Sequence, residues 1–345
     1  MACVDHWHPV LLSEQLTNKP VGVKWCGREV VVFRGADGSP AALADICPHR
    51  RMRLSLGKVV NGKLQCKYHG WSFDSCGQGE SPGTPKLHAC AESYAVREEY
   101  GAVWIKSRDS NPEFPRFPVE GLTQMCILRH DIPAPLEVTM DNFCEIEHTP
   151  TTHDVFGYPL ERMHEVSVKF EWTDTTVRVI NVGPPKQLPW WMRRLLGIRK
   201  HYLFHDDWTT YFSPCYSIYD HWWADPVTGR ESKVRWKNIH FFWPIDDHHT
   251  GLTTWTYAKS RHPVGPSGGL KPFRWLMRLL VDREVRLDVE ILKGLASADP
   301  SIEGMKLSRF DKVLGLNRER IDRIYRGKSD DAPARVELPM HGVAS

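Results

Sequence analysis

The chain lacks a dominant charge. Its 45 Lys and Arg stand against 42 Asp and Glu, a formal net charge of +3, which argues against nucleic acid as the principal partner. It also lacks any run of about twenty apolar residues, so no membrane-spanning helix is expected, and no early apolar stretch resembles a signal peptide. The nine cysteines show no framework spacing, which predicts free thiols and a reducing compartment, the cytoplasm. Internal repeats are missing, and so is any glycine-rich fingerprint for a flavin or nicotinamide. Aromatics are abundant, with 14 Trp, 13 Phe and 10 Tyr, enough to line a pocket as well as fill a core. At 345 residues, two domains are expected.

Two short segments carry the strongest chemistry. Cys47-Pro48-His49 is followed by Cys66-Lys67-Tyr68-His69, so each loop holds one thiol and one imidazole. Two thiolates and two imidazoles could bind a tetrahedral zinc or a [2Fe–2S] cluster. Zinc fingers usually pair their thiolates in one loop and their imidazoles in another, so a Cys and a His in each loop favours the dinuclear cluster. Such a cluster passes one electron at a time.

A second constellation is Glu145-x2-His148-x4-His153. Two histidines and a distant carboxylate could form the facial triad of a non-haem Fe(II) centre. Five residues turn a straight α-helix by about 500°, which leaves the two histidines roughly 140° apart. They can share an ion only if the helix expected over 138–146 breaks before His153, and Thr149-Pro150 supplies a break.

The first hundred residues read as short strands: 30–34, 41–46 and a β-rich run within 94–106. The proline-rich NPEFPRFP at 111–118 marks a domain boundary. Alternating segments at 166–182, 208–219, 234–243 and 252–258 predict a broad antiparallel sheet. Helical spacing of Phe273, Leu276, Leu279, Leu280, Leu287, Ile291 and Leu295 predicts a long helix packed on that sheet. The tail after Lys328 is polar and is expected to be loose.

The words CPHR and CKYHGW, with Asn142, Glu145, His148 and His153 matching the pattern N-x2-D-x2-H-x4-H, resemble the oxygenase α-subunits of the Rieske non-haem iron oxygenases. Within that family the chain is similar to the compact branch containing vanillate demethylase and dicamba monooxygenase. The resemblance implies an α+β fold: an all-β Rieske domain over 1–115, then a catalytic domain over 116–345 with a twisted antiparallel sheet covered by helices, helix-grip fashion. It implies [2Fe–2S] ligands at Cys47, His49, Cys66 and His69. Mononuclear iron would be held by His148, His153 and Asp288, the last in Arg286-Leu287-Asp288-Val289-Glu290, with Asp282 and Glu290 as rivals. Asn142 and Glu145 complete the motif. The family's aspartate at the Glu145 position bridges a cluster histidine of one subunit to an iron-ligand histidine of the next in a head-to-tail homotrimer, and glutamate is expected to keep that bridge with shifted geometry. The implied activity is monooxygenation or O- or N-demethylation of a small aromatic compound, using dioxygen and NAD(P)H-derived electrons from a reductase or ferredoxin. A Rieske electron carrier with a non-catalytic second domain is the alternative, and a zinc module a third.

No acidic residue lies from His49 to His69, while Arg50, Arg51, Arg53, Lys58, Lys63 and Lys67 do, a surface suited to an acidic electron donor. Pro189-Trp190-Trp191-Met192-Arg193-Arg194-Leu195-Leu196 reads as plain packing, as a lid, or as an amphipathic patch against a membrane. Tyr219-Asp220-His221-Trp222-Trp223 reads as pocket or core.

Overall fold

The computed structural model describes residues 2–260 and 271–328, and the tail expected to be loose lies outside them. The β-rich beginning forms eleven short strands: β1 (His8–Leu12), β2 (Val21–Trp25), β3 (Arg28–Arg34), β4 (Pro40–Ala44), β5 (Lys58–Val60), β6 (Lys63–Gln65), β7 (Ser72–Phe73), β8 (Gln78–Glu80), β9 (Ala89–Cys90), β10 (Ser93–Glu99) and β11 (Ala102–Lys106). Six of them pair in the order β1-β11-β10-β4-β3-β2, and the short β5 to β9 form a second sheet in sequence order. The expected β-rich run at 94–106 is thus a hairpin, turned at Tyr100-Gly101.

After the proline-rich stretch comes a strand that alternation did not single out, β12 (Thr123–Ile132). It is followed by β13 (Ser167–Trp172), β14 (Thr176–Gly183), β15 (Leu203–Phe212), β16 (Cys215–Ala224), β17 (Val234–Pro244) and β18 (Thr250–Ser260). They make an antiparallel sheet in the order β12-β18-β17-β16-β15-β14-β13. The run expected at 208–219 belongs to two strands, because the chain reverses at Ser213-Pro214.

Period-two alternation gives this sheet two different faces. Tyr216, Ile218, Ile239, Phe241 and Trp255 face one side and pack with Trp104 of β11 and Phe117 of the connector. Phe204, Trp208, Tyr219, Trp223 and Phe242 face the other, beneath the helices. The first eleven strands therefore rest on the opposite side of the sheet from α1 (Leu136–Phe143), α4 (Arg274–Lys293) and α5 (Lys312–Arg320). Two short helices, α2 (Thr149–Thr152) and α3 (Trp190–Leu196), complete the set.

Two helix expectations need correction. The helix expected to reach Ile146 ends at Phe143, whose carbonyl accepts the Tyr219 hydroxyl of the sheet below, while the Cys144 thiol lies buried near Thr210 and Ser217. On α4 the buried stripe is Val281, Val285, Asp288, Val289 and Leu292. Phe273, Leu279, Ile291 and Leu295 are instead exposed. The narrow valines allow α4 to lie close along β12, where Arg278 reaches the Ile127 carbonyl, and this rotation points Asp288 inward and the leucine-rich stripe out.

Residues on either side of the π-helical turn Ile321–Tyr325 clamp α1: Arg318 of α5 pairs with Asp141, and Arg326, just after the turn, with Glu137, which is only 5% exposed. Arg326→Ala is expected to cost about 3–5 kcal/mol in urea unfolding, because it leaves a buried carboxylate unpaired. A loss below about 1 kcal/mol would show that Glu137 finds water instead.

Candidate metal centres

The helix end at Phe143 creates the first centre. Glu145 lies in the non-helical turn after α1, and one carboxylate oxygen accepts the backbone N–H groups of Glu147 and His148 while the other meets His148 Nδ1. The pair thus meets through this turn and not along a helix face. His148 is the residue before α2 and His153 the residue after it. Pro150 sits in the first turn of α2, where its missing N–H costs nothing. Thr149-Pro150 is itself helical, so the break between the two histidines comes at the other end of α2, where His153 leaves the helix with an extended backbone (φ −91°, ψ 150°). Gly157, at φ +100°, passes so close to α2 that a Cβ there would lie 2.4 Å from Thr149 Oγ1.

The two Nε2 atoms stand 3.2 Å apart, and each is 3.4 Å from Asp288 Oδ1. Donors about 2.1 Å from one ion and at right angles to each other stand about 3 Å apart, so this spacing fits three neighbouring positions on one divalent cation. Among the described residues, His148, His153 and Asp288 are the one His/Cys/Asp/Glu group whose donor atoms all lie within 4.8 Å. Asn142 Nδ2 donates to Asp288 Oδ1 at 3.0 Å. Burial disfavours charge on all three groups, yet their contacts win: Asp288 and Glu145 push His148 up to about 10, His153 is raised, and Asp288 is held well below the usual carboxylate range. A cation entering here would displace protons from the imidazoles.

The rivals to Asp288 are occupied elsewhere. Asp282 is shared by His130, at 2.9 Å, and Arg286, at 2.7 Å, while exposed Glu290 pairs with Lys293. Two neighbours of the triad were missed in the sequence. Glu284 Oε2 lies 3.1 Å from His153 Nδ1. It stands one helical turn before Asp288, a spacing that could have flagged it. Lys186 donates to the Thr149 carbonyl at 2.6 Å and to that of His153, tying down both ends of α2 from a distant segment.

The helix-covered wall of the sheet, where His240 feels the charge of Asp288, is aromatic with a few polar groups. Phe143 lies against His240 and Phe242; Phe156 and Phe204 stack on His221. His240 donates to or accepts from Thr254 Oγ1 at 3.0 Å, and burial holds its imidazole down to about 3, hence neutral. His221 pairs with Asp206 at 2.9 Å. In the segment read as pocket or core, Tyr219, His221 and Trp223 face this wall, whereas Trp222 stacks on His205 on the other face.

The second centre lies at the tip of the first domain. Its two loops repeat one backbone pattern: Cys47 N–H donates to Met52 O and Arg51 N–H to Cys47 O, just as Cys66 N–H donates to Trp71 O and Gly70 N–H to Cys66 O. The fifth residue of each loop is left-handed, Arg51 at φ +57° and Gly70 at φ +72°. Cys47 and Cys66 are buried among Leu54, Leu64, Trp71 and Phe73. His49 is exposed and His69 half-buried, their ring centroids 4.5 Å apart, with His49 stacked on Trp71. These donors do not draw within the 4.8 Å that groups the triad, although a single tetrahedral ion would require it. The arrangement fits a dinuclear cluster with buried thiolates and outward imidazoles. Around it Arg50, Arg51 and Lys67 are exposed, Arg53 and Lys63 pair with Glu29 and Glu80, and Ile46 and Tyr68 add exposed apolar surface.

Comparison with known proteins agrees with both centres. Residues 6–95 match the Rieske [2Fe-2S] domain family and residues 132–272 the vanillate O-demethylase oxygenase C-terminal domain family. The chain is 38% identical over 101 residues to the vanillate O-demethylase oxygenase subunit of Pseudomonas sp. (strain HR199 / DSM 7063), covering 29% of this chain and 28% of that protein. It is 40% identical over 103 residues to the dicamba O-demethylase oxygenase component of Stenotrophomonas maltophilia, covering 29% and 30%. A longer match, 28% identical over 214 residues, joins 58% of this chain to 37% of the chloroplastic protein TIC 55 of Pisum sativum. These matches span about a quarter to two-fifths of the relatives' own lengths. The fold is shared with dicamba monooxygenase bound to 3,6-dichlorosalicylic acid, at a TM-score of 0.77 and 20% identity over 94% of this chain and 97% of that one. It is shared too with the NdmA QL mutant of Pseudomonas putida CBB5 with caffeine, at a TM-score of 0.70 and 20% identity over 93% and 90%. The chain thus joins a segment that matches the Rieske [2Fe-2S] domain family to one that matches the vanillate O-demethylase oxygenase C-terminal domain family, on a fold shared with dicamba monooxygenase.

Proposed function

We propose that the chain is the terminal oxygenase component of a Rieske-type monooxygenase, which hydroxylates or O- or N-demethylates a small aromatic substrate. The observation that carries this reading is the buried convergence of His148, His153 and Asp288 beneath an aromatic wall. An Fe(II) ion on that triad would activate dioxygen beside the substrate, and a [2Fe–2S] cluster on Cys47, His49, Cys66 and His69 would supply an electron. One oxygen atom enters a C–H bond and the other leaves as water, consuming two electrons and two protons. Where the carbon is a methyl on O or N, the hydroxymethyl product collapses to demethylated substrate and formaldehyde. Vanillate, dicamba and caffeine, named with the relatives and neighbours, are small rings with polar substituents. The wall here suits that class: Phe143, Phe156 and Phe204 exclude water from a flat ring, and neutral His240 offers a hydrogen bond to a substituent.

Electrons would come from an NAD(P)H-fed reductase or a ferredoxin docking on the cluster tip at Arg50, Arg51, Arg53, Lys63 and Lys67, with Ile46 and Tyr68 giving that surface an apolar centre. A cytoplasmic homotrimer completes the reading. The seven-stranded sheet stands between the first domain and the helices that carry the triad, and each packed layer adds about 10 Å, which favours transfer into a neighbouring subunit. Glu145 already holds the ligand end of such a bridge through His148.

Glu145→Gln tests this route. With iron and labile sulfide unchanged, reoxidation of the pre-reduced cluster by dioxygen in the presence of substrate is expected to slow about 10–100-fold. An unchanged reoxidation rate would remove Glu145 from the path. For the activity itself, the readout is formaldehyde release from aromatic ethers and N-methyl heterocycles. No dioxygen uptake with any donor, at full iron content, would leave the electron-carrier alternative.

A further inference from the structure

Helix α3 turns its aromatic residues to solvent. Trp190 is 76% exposed and Trp191 53%, whereas Leu196, Leu188 and Ile198 of the same segment are buried and Met192 packs against the core. At 100° per residue, Trp190, Arg194 and Trp191 lie within one third of the helix circumference, opposite Met192 and Leu196. The helix is firmly mounted: Arg193 N–H donates to Pro189 O, Ile198 N–H to Arg193 O at 2.8 Å, and Lys233 N–H to Leu196 O at 2.8 Å. Gly197, at φ +71°, closes its C-terminus against the Lys233 side chain. The outward tryptophans are therefore held in place by a braced scaffold.

The charge carried by this segment of sequence is of one sign. From Thr175 to His205 the sequence has no acidic residue, while Lys186, Arg193, Arg194, Arg199 and Lys200 cluster at the helix and its flanks. Arg194, Arg199 and Lys200 are exposed. Tryptophans beside arginines on one helix face suit the boundary between lipid headgroups and acyl chains, where indole rings settle and basic side chains meet anionic phosphates. An acidic protein surface would satisfy the arginines but not two protruding indoles.

The patch also adjoins the metal loop. Lys186, four residues before Trp190, is the side chain bound to the carbonyls of Thr149 and His153. A surface seated on α3 thus lies one short segment away from the loop that carries His148 and His153. We propose that α3 docks the protein on an anionic lipid bilayer, and, resting on the oxygenase reading above, that aromatic substrate partitioned at the headgroup boundary of that bilayer is taken up at this end of the catalytic domain.

The test is co-sedimentation of the metal-loaded protein with vesicles of phosphatidylcholine alone or containing phosphatidylglycerol. Binding to the anionic vesicles is expected, with a blue shift of tryptophan emission, and is expected to fall at least about tenfold for Trp190→Ser/Trp191→Ser and for Arg193→Gln/Arg194→Gln. Circular dichroism and iron content establish that the variants are folded. No binding, or binding that survives both pairs of substitutions, overturns the proposal. So does a variant whose only change is a smaller oligomer in analytical ultracentrifugation, since the face would then be a contact between copies. Vesicle binding is read without turnover, so failure of the oxygenase reading would show separately, as absent dioxygen uptake with the docking intact.

Discussion

Asp288→Ala is expected to leave a reddish-brown protein that has lost one iron. The starting protein should carry about three irons and two labile sulfides per chain, and the variant about two of each. The reasoning is geometric. Among the described residues, Asp288 Oδ1 is the only carboxylate oxygen placed 3.4 Å from both Nε2 atoms, and Asn142 and the buried valines of α4 hold it there. Alanine removes the anionic ligand and leaves two imidazoles that repel when protonated. Turnover should fall by more than about 100-fold, beyond the usual cost of losing a group behind a ligand. Asp282→Asn and Glu290→Gln serve as controls that keep the third iron, since those carboxylates serve His130, Arg286 and Lys293. Equal iron in wild type and Asp288→Ala would place the ion elsewhere.

Cys66→Ser should have a different signature. It is expected to abolish labile sulfide and visible colour together, and to lower the stability of the first domain by several kcal/mol. Cys47 and Cys66 are part of that domain's packed interior, in contact with Leu54, Leu64, Trp71 and Phe73, so cluster assembly and folding are one process there. A hydroxyl is a poor substitute for a terminal thiolate ligand of the cluster and leaves a polar atom in an apolar core. The check is sulfide analysis with thermal unfolding followed by circular dichroism. Sulfide retained at the wild-type level would mean that Cys66 is not a ligand. Asp288→Ala and Cys66→Ser dissect the two centres, one taking iron without sulfide and the other taking both.

The cluster ligands were legible because each pair sits within a few residues, and the repeated word is itself the loop. His148 and His153 were legible by spacing, but the break between them was placed too early and the end of α1 too late. The signal that ends α1 is the Tyr219 hydroxyl, 76 residues away, and no local pattern records it. Asp288 needed the family resemblance, since a carboxylate on a charged helix looks like a solvated one. The same helix misled in the opposite direction: its leucines outnumber its valines, yet the valines are buried because they admit close approach to β12. Lys186 and His240 reach the site only through tertiary contacts, so they carried no sequence signal at all.

The matched backbone of the two cluster loops has a consequence for how the tip could be reshaped. Glycine at the left-handed position of the second loop adopts φ +72° freely, but the first loop spends that position on an arginine at φ +57°. A side chain there costs on the order of 1 kcal/mol relative to glycine. Arg51 is thus a site where backbone comfort and surface charge pull apart: glycine would relax the loop and delete a cation beside the exposed cluster histidine. Firmness of the tip and attraction for an acidic donor are coupled through this one residue and cannot be tuned independently.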